Sequence, residues 1–553
     1  MAFRAPVWWD SAMRRSLAGW TAALVVVLGG CGTAAPDESR PSAAASKDPV
    51  AAMSDEELVG QVLMPYAYGQ AATEVSAGAA KANQALAGVD TPAQLVEKLH
   101  LGGVVLVGFE AGDPTAQDTA NVTDPKQVRA LTDGLQRAAA QAGAKAPLLI
   151  ATDQEFGVVT RVTSGVTLLP SAMAFGAADR PELTEAAWKV AGTDLSALGI
   201  NVDFAPVADV QGASSVIGSR SFGSDPAVVA RQTVAAVKGL QSAGVAATLK
   251  HFPGHGRPAA DSHDGLPQLE QSLTDLERVD LAPFTAGIQA GARLVMSGHL
   301  DVRAVDPGVP ASFSAKVLID LLRTKLGFSG VVVTDALNMP PAQRGTPEEA
   351  AVEAFLAGND LLLMPGAPLS AYNGILEAVR SGRIPRERLR QSVARILAVK
   401  AAVSGRAPGL EVLTADGRAQ DVARVAAASV TVLKGECAGI AGPLTVTAAN
   451  GRDAARDRLA QALRDRGVGV GPGGKVVHLV GYGDGKADLN AKATVTVAMD
   501  TPYILAQAAS PVRMATYSSS PLSMEALAAV LAGKAKATGR SPVAVTGLAR
   551  SSC

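Results

Sequence analysis

Short apolar runs that recur between helical stretches constrain the fold of this chain more than any other feature of its sequence. The runs lack polar alternation, which is typical of parallel strands covered on both faces. They predict eight strands, at residues 61–64, 103–107, 148–153, 201–205, 246–250, 293–297, 330–335 and 360–364. Eight strand–helix units predict an α/β fold, a (β/α)8 barrel of the TIM type. An open doubly wound sheet has the same periodicity and remains the alternative.

Turn-forming residues at 404–409 interrupt this pattern and predict a domain boundary. We assign residues 52–404 to the barrel and residues 410–553 to a smaller α/β sandwich domain. In the second domain we predict strands at 430–433, 444–447, 476–480 and 494–499, and helices at 454–464 and 524–531. Cys437 and Cys553 both lie in this domain. They could pair outside a reducing cytosol, but two cysteines can equally stay unpaired.

The first 31 residues have the pattern of a bacterial lipoprotein signal peptide. Three arginines precede an apolar run at 17–30, which is shorter than the roughly 20 residues that a spanning helix needs. The run ends at Leu28-Gly29-Gly30-Cys31 and resembles a lipobox, in which the cysteine is lipidated and becomes the new N-terminus. A plain secretory signal with an incidental cysteine is the alternative. Residues 32–51 are rich in Pro, Ser and Ala and predict a flexible tether.

This leader predicts that the protein lies outside the cytoplasm, anchored to the outer face of the cell membrane by lipid on Cys31. The charge balance argues against a nucleic-acid partner. Lys+Arg is 50 and Asp+Glu is 51, whereas a nucleic-acid-binding protein typically carries a basic excess. The sequence identifies no protein partner.

Titratable residues concentrate at the carboxyl ends of the predicted strands, where barrel enzymes place their active sites. The densest segment is KHFPGHG at 250–256, followed by Asp261-Ser262-His263. The Asp261 carboxylate is close enough in sequence to hold the His263 imidazole, which suits general acid–base catalysis. A surface Asp–His pair without a role is the alternative. His251 and His255 have the spacing of a zinc-binding helix, but the intervening Pro-Gly would break that helix, so we predict no metal site.

A second segment, GFSGVVVTD at 327–335, ends a predicted buried strand with Asp335. A carboxylate at this position can attack an anomeric carbon, as in retaining glycosidases. A helix N-cap before Ala336 is the structural alternative.

Together these segments resemble glycoside hydrolase family 3, specifically its β-N-acetylhexosaminidase branch (NagZ type), and the two-domain lipoprotein members of mycobacteria and their relatives. The resemblance covers about residues 52–400 and extends to the second domain through DTPY at 500–503 and Tyr517-Ser518. KHFPGHG followed by D-x-H is highly specific to this branch. The resemblance implies that Asp335 is the nucleophile, that His263 is the acid/base and that Asp261 is its partner.

The same resemblance implies five substrate contacts: Asp153, Arg161, Arg220, Lys250 and His251. The family segment DQEGGRV is DQEFGVV at 153–159 in this chain. Phe156 replaces a glycine and is expected to narrow the pocket, and Val158 replaces an arginine and removes a polar contact. Ala336 replaces a second acid that often follows the nucleophile.

The resemblance therefore implies a retaining exo-β-N-acetylglucosaminidase. Its substrate would be terminal, non-reducing β-linked GlcNAc on peptidoglycan-derived muropeptides, and no metal or organic cofactor is implied. A GlcNAc phosphorylase that uses the same residues is one alternative, because a neutral imidazole repels incoming phosphate less than a carboxylate does. A non-catalytic, lipid-anchored sugar-binding protein is another. Only the altered residues Phe156, Val158 and Ala336 support this second alternative.

Overall fold

The structure is a computed structural model that describes residues 49–108, 119–213, 215–258, 260–437 and 439–553. The predicted signal peptide, the lipidation site Cys31 and most of the predicted tether therefore lie outside the described residues. Within the described ranges, no helix is long and apolar enough to cross a membrane.

Eight parallel strands form the barrel: β1 (Leu63–Met64), β2 (Gly103–Val105), β3 (Leu149–Thr152), β4 (Val202–Asp203), β5 (Ala246–Phe252), β6 (Leu294–Ser297), β7 (Val331–Thr334) and β8 (Leu362–Leu363). Strands β2 to β7 form one sheet in chain order. Strand β1 pairs with β8, with Leu63 opposite Leu362. Leu361 bridges to Val333, and Val105 N donates to Pro65 O at 3.1 Å, which closes the ring on both sides. Each strand overlaps a predicted run, so the barrel prediction is confirmed and the open sheet is wrong.

Helices precede β1, connect each pair of successive strands and follow β8. They are α1 (Asp55–Gln61), α2 (Ala77–Ala87), α3 (Pro92–Leu99), α4 (Pro125–Gln141), α5 (Ala172–Ala178), α6 (Pro181–Ala197), α7 (Pro226–Ser242), α8 (Leu273–Arg278), α9 (Leu281–Gln289), a π-helical segment (Lys316–Lys325), α10 (Pro347–Leu356), α11 (Pro368–Arg380) and α12 (Arg386–Ala402). Six of these α-helices begin with proline, whose fixed φ suits the first helical turn and whose missing N–H costs nothing there.

Two short strand pairs lie within the loops at the carboxyl ends of the barrel strands. Gln154–Phe156 pairs antiparallel with Val159–Thr160 directly after β3. Gln268–Leu269 pairs parallel with Asp301–Val302, between the loops that follow β5 and β6. These pairs give backbone hydrogen-bond partners to residues of both sets of loops.

A second sheet follows the barrel in the chain. Its strands are β9 (Thr431–Lys434), β10 (Leu444–Ala448), β11 (Lys475–Val480), β12 (Val495–Ala498) and β13 (Val512–Ala515), in the order β9-β13-β12-β11-β10. Only the β9–β13 pair is antiparallel. The sheet is accompanied by helices α13 (Gln420–Ser429), α14 (Asp453–Asp465) and α15 (Pro521–Leu531). The sequence analysis missed β13 and α13.

Cys437 and Cys553 form a disulfide with a Cα–Cα distance of 5.7 Å. The bond ties the end of the chain to the loop after β9, and it decides the question of pairing that the sequence left open. The predicted boundary at 404–410 falls between α12 and a 3-10 turn at Leu410–Thr414. Because residues 48–553 form one compact unit, the division into two domains stays a prediction.

One buried cation lies away from the strand ends. Lys400, in the last turn of α12, is 1% exposed, and its Nζ donates to Gln61 Oε1 at 2.7 Å. Gln61 is neutral, so this hydrogen bond does not compensate the lysine charge. Burial lowers the pKa of Lys400 to about 7, because desolvation disfavours the ammonium form.

We predict that Lys400→Met changes how stability depends on pH. The folded-state pKa of Lys400 lies below its unfolded value, so wild-type protein gains stability as pH rises from 7 toward 10. One pKa unit corresponds to about 1.4 kcal/mol, so the free energy of unfolding of wild type, relative to that of Lys400→Met, should rise by about 4 kcal/mol between pH 6 and pH 10. Urea unfolding of both proteins at each pH measures this difference. The exposed Lys81→Met serves as control, and an equal pH dependence in Lys400→Met and wild type would contradict the prediction.

Candidate active site

A cavity of about 700 Å³ lies where the carboxyl ends of the barrel strands face the second sheet. We call it the rim cavity. All the predicted catalytic and substrate-binding side chains line it, namely Asp153, Arg161, Arg220, Lys250, His251, Asp261, His263 and Asp335. The barrel thus brings together residues that lie as much as 182 positions apart in the sequence (335 − 153).

The strand ends explain this convergence. Asp153 follows β3, Lys250 and His251 lie in the last part of β5, and Asp335 follows β7. Arg220 ends a 3-10 turn, Gly218–Arg220, in the loop after β4. Because the carboxyl ends of parallel barrel strands share one rim, each of these side chains faces the same space.

Glu155 holds two of the predicted substrate contacts and was missed by the sequence analysis. It is 4% exposed. Arg220 donates to it through Nε at 2.7 Å and Nη2 at 2.9 Å, and Lys250 Nζ lies 2.7 Å from its Oε1. Burial by itself would raise the pKa of Glu155, but the charges of Arg220 and Lys250 outweigh it and hold the pKa well below its usual range. Glu155 stands in the segment that carried the family resemblance, which was a signal that could have identified it.

Lys250 also donates to Asp153 Oδ1 at 2.7 Å. Lys250 is 2% exposed, and its ammonium group lies between two carboxylates. Burial opposes its charge, but Asp153 and Glu155 outweigh burial and raise its pKa. Lys250 and Arg220 are therefore charged and held in place by the protein itself.

Asp209 orients His251 and was also missed. The Asp209 side chain is fully buried, and its Oδ2 lies 2.8 Å from His251 Nδ1. Its Oδ1 accepts hydrogen bonds from the backbone N–H groups of His251 at 3.1 Å and His255 at 2.7 Å. With Nδ1 facing this carboxylate, Nε2 of His251 faces Arg220 Nη2 at 3.4 Å. The second ring nitrogen is thereby left at the wall of the rim cavity.

Asp335 is ionised at neutral pH. Burial alone would raise its pKa, but the neighbouring imidazoles, His251 foremost, lower the pKa to about 2. Ala336 N donates to Asp335 Oδ1 at 2.8 Å. No helix begins at Ala336 in the described segment 335–342, whose first helical turn is Pro340–Ala342, so the N-cap alternative is wrong. His299 Nε2 lies 3.0 Å from Ala336 O and forms a hydrogen bond with this turn.

Asp261 and His263 form the predicted pair. Asp261 Oδ1 lies 2.8 Å from His263 Nδ1 and accepts from His263 N at 3.0 Å. This hydrogen bond raises the pKa of His263, against the effect of burial, and the charge of Asp335 raises it further. The two side chains are 37% and 41% exposed, for His263 and Asp261 respectively. The pair faces the rim cavity, so it can exchange protons with a bound group and with water.

The second sheet supplies the outer wall of the rim cavity. Arg452, Tyr482, Asp500 and Ser518 line it, each in a loop that follows a strand of that sheet. Asp500 Oδ1 accepts a hydrogen bond from Ser219, the neighbour of Arg220. Asp500 and Ser518 belong to the segments that carry the family resemblance, whereas no motif in the sequence marks Arg452 or Tyr482.

Phe156 does not narrow the cavity, which corrects the expectation from sequence. It is 2% exposed, and its ring packs edge-on against Trp188 with the centroids 5.7 Å apart. The cavity wall is instead formed by Gly157, Val158 and Val159. The φ of Phe156 is 65°, in the left-handed region where glycine is favoured. Val158 and Ala336 line the cavity.

At position 156 we predict that the glycine variant is more stable than the alanine variant, which is the reverse of the order expected in a helix. Phe156→Ala should lose packing worth about 3–5 kcal/mol and keep the left-handed backbone. Phe156→Gly loses the same packing but relieves a backbone cost of about 1 kcal/mol, so the glycine variant should be the more stable one. Chemical denaturation measures both. Phe175, a buried neighbour of Trp188 inside α5, is the matched control, because in a helix glycine should be the less stable substitution. The same order at both positions would contradict the prediction.

Comparison with known proteins adds independent information. A model described as the N-terminal domain of glycosyl hydrolase family 3 matches residues 56–399. The beta-hexosaminidase A of Pseudoalteromonas piscicida is 35% identical over 335 residues, which is 56% of this chain and 54% of that protein. The chain thus spans about half the length of that relative. The beta-hexosaminidase of Stenotrophomonas maltophilia (strain K279a) is 41% identical over 235 residues, 41% of this chain and 70% of that protein.

The likeness among solved structures extends over both sheets. The glycoside hydrolase family 3 beta-N-acetylglucosaminidase from Paenibacillus sp. str. FPU-7 superimposes with a TM-score of 0.78 and 32% identity. The match covers 90% of this chain and 99% of that one.

Proposed function

The chain belongs to glycoside hydrolase family 3, and on this premise we propose that it is a retaining exo-β-N-acetylglucosaminidase. The observation that carries the proposal is the rim cavity, which is lined both by an ionised Asp335 and by the hydrogen-bonded Asp261–His263 pair. A nucleophilic carboxylate and a separate proton donor are the two groups that retaining glycoside hydrolysis needs. The names of the relatives, beta-hexosaminidase and beta-N-acetylglucosaminidase, support GlcNAc as the sugar.

In the first step, Asp335 attacks the anomeric carbon while the bond to the leaving oxygen breaks. His263 gives its proton to that oxygen, so the leaving group departs as a neutral alcohol. The raised pKa of His263 favours the protonated imidazole that this step requires. The charge of Asp335 favours it as well, because a carboxylate close by stabilises an imidazolium.

In the second step, water attacks the glycosyl–Asp335 ester. His263 is now neutral and accepts a proton from that water, and Asp335 leaves as a carboxylate. Two displacements at the anomeric carbon restore the β configuration. Because His263 Nδ1 stays hydrogen-bonded to Asp261 in both steps, the catalytic proton is transferred through Nε2.

Binding of the sugar falls to the charged network around Glu155. Arg220, Lys250 and His251 are held before substrate arrives, by Glu155, Asp153 and Asp209. Asp153 and Arg161 complete the set of groups that would contact the hydroxyls and the acetamido group. Preorganised contacts of this kind orient the ring without a further loss of side-chain entropy.

The natural substrate and the location are part of the proposal. We propose terminal β-linked GlcNAc on muropeptides as the substrate and an anchor on the outer face of the membrane through Cys31. A cell-wall substrate agrees with an enzyme held outside the cytoplasm. The intact Asp335, His263 and Asp261 argue against a purely sugar-binding protein.

Residues 32–553 should release 4-nitrophenol from 4-nitrophenyl β-N-acetylglucosaminide, and Asp335→Asn should lower kcat by several orders of magnitude because the nucleophile is lost. Asp320→Asn, an exposed carboxylate on the π-helical segment, is the control. The β-glucoside should be a poor substrate. Near-full activity in Asp335→Asn would remove Asp335 from the mechanism, and a folded wild type without activity would favour the sugar-binding alternative. Faster turnover in phosphate, with sugar 1-phosphate as product, would favour the phosphorylase.

Asp261→Asn should move the basic limb of the pH profile of kcat/KM to lower pH. Asp261 raises the pKa of His263, and its removal allows the proton of the acid to be lost at lower pH. The loss of rate should be smaller than in His263→Ala, which removes a contribution of about 10²–10⁴-fold. A limb that stays in place, or moves to higher pH, would contradict the role assigned to the pair.

A further inference from the structure

The pair that handles the proton is carried by a loop whose described residues are 254–258 and 260–263, and which we call the acid/base loop. More than a third of the His263 and Asp261 side chains is exposed, so their own packing does not fix their position. A displacement of about 1 Å can cost 10²-fold in rate. Other contacts must therefore hold this loop.

The backbone of the first residues of the loop approaches its neighbours closely. A Cβ added to Gly256 would lie 2.0 Å from Val210 O, and one added to Gly254 would lie 2.9 Å from Asp280 Cβ. Gly212 N also donates to Gly256 O at 2.6 Å. This start of the loop is thus seated against the loop after β4 and against Asp280.

Arg257, the next residue, joins the loop to two barrel helices through its guanidinium group. Its Nε donates to Asp280 Oδ1 at 3.1 Å, and its Nη2 lies 3.0 Å from Asp280 Oδ2. Its Nη1 donates to Asp275 Oδ2 at 2.5 Å. Asp275 lies in α8 and the Asp280 side chain, fully buried, directly precedes α9. The rigid guanidinium fork therefore joins the loop to both helices.

The far end of the loop has an anchor of its own. Ser262 lies between the two members of the pair and is 3% exposed. Its Oγ lies 3.1 Å from Nε2 of His255, which is 2% exposed. Burial and the nearby His251 lower the pKa of His255 to about 4, so this imidazole is neutral and suited to a hydrogen bond with a hydroxyl.

We propose that Arg257 is a positioning residue for the acid/base pair: its hydrogen bonds to Asp275 and Asp280, together with the contact of His255 with Ser262, hold His263 in its place in the rim cavity. The inference rests on the proposed function and names a residue that the mechanism above does not use. Arg257 touches neither the nucleophile nor the predicted substrate contacts in the described contacts, so it acts through the loop.

The kinetic test compares Arg257→Met with Arg278→Met. Arg278 also pairs with Asp275, at 2.6 Å, but makes no described contact with the loop. On β-1,4-linked di-N-acetylchitobiose, whose alcohol leaving group needs protonation, we expect Arg257→Met to lower kcat about 10- to 100-fold with KM within about twofold. Arg278→Met should match wild type, and Arg257→Lys should recover part of the loss. Equal kcat in Arg257→Met and wild type would overturn the proposal.

A second comparison separates positioning from general damage. In a His263→Ala background, Arg257→Met should cause little further loss of kcat, because there is no imidazole left to position. The same fold loss in both backgrounds would show that Arg257 acts independently of the pair and would overturn the proposal. Ser262→Ala removes only the hydrogen bond to His255, and it should lower kcat when His263 is present but not in the His263→Ala background. Ser262→Thr keeps a hydroxyl group and should restore kcat. These variants keep the test valid if Arg257→Met does not fold.

Hydrogen–deuterium exchange tests the anchor without any activity. Peptides covering 254–263 should exchange faster in Arg257→Met than in wild type and Arg278→Met. Unchanged exchange would overturn the inference even in an active enzyme. An inactive wild type whose loop still exchanges faster in Arg257→Met would instead contradict the proposed function and leave the anchor in place.

Discussion

The pairing of the first barrel strand with the last is the constraint on which the rest of the structure depends. Leu63 and Met64 lie beside Leu362 and Leu363, and this contact turns a curved sheet into a ring. An open sheet would leave two strand edges unpaired and would separate residues that follow distant strands. The ring removes both edges and gathers the carboxyl ends of all eight strands on one rim. This closure determines the position of every side chain that we assign to catalysis or binding.

Burial of charge is the second requirement of the site. Glu155, Lys250 and Asp209 are each less than a twentieth exposed, and isolated charges at such positions would be strongly unfavourable. They persist because each is matched: Glu155 by Arg220 and Lys250, Asp209 by His251 and two backbone N–H groups. The same matching fixes the geometry of the sugar-binding groups. The network that removes the cost of burial therefore also preorganises the site.

Solvent exposure differs between the parts of the site. Asp335 is fixed by the turn at Ala336 and the sugar-binding groups by buried ion pairs, whereas the Asp261–His263 pair stays partly exposed on a loop. A group that gives a proton to one oxygen and later takes one from water needs access to both. The anchors at Arg257 and Ser262 reconcile this access with a defined position.

The sequence by itself determined the barrel and most of its site. Eight apolar runs without alternation predicted the strands, and the segments at 250–263 and 327–335 predicted the catalytic groups, because strand periodicity and motif spacing are local properties of the chain. It did not reveal β13, which is only four residues long and begins Val-Arg. It also misjudged Phe156, since a residue in a short hairpin faces the core or the cavity according to a backbone φ that the sequence does not display.

Only the tertiary structure decided which charges meet. Glu155 with Arg220 and Lys250, Asp209 with His251, and Arg257 with Asp280 are pairs separated by 65, 95, 42 and 23 positions respectively (220 − 155, 250 − 155, 251 − 209 and 280 − 257). No local pattern marks them, because each follows from where barrel closure and helix packing place the backbone. The same is true of Arg452 and Tyr482, which reach the rim cavity only because the second sheet directs its strand ends toward the barrel. Local chemistry could be predicted from the sequence, whereas the pairing of buried charges depends on distances that only the folded chain defines.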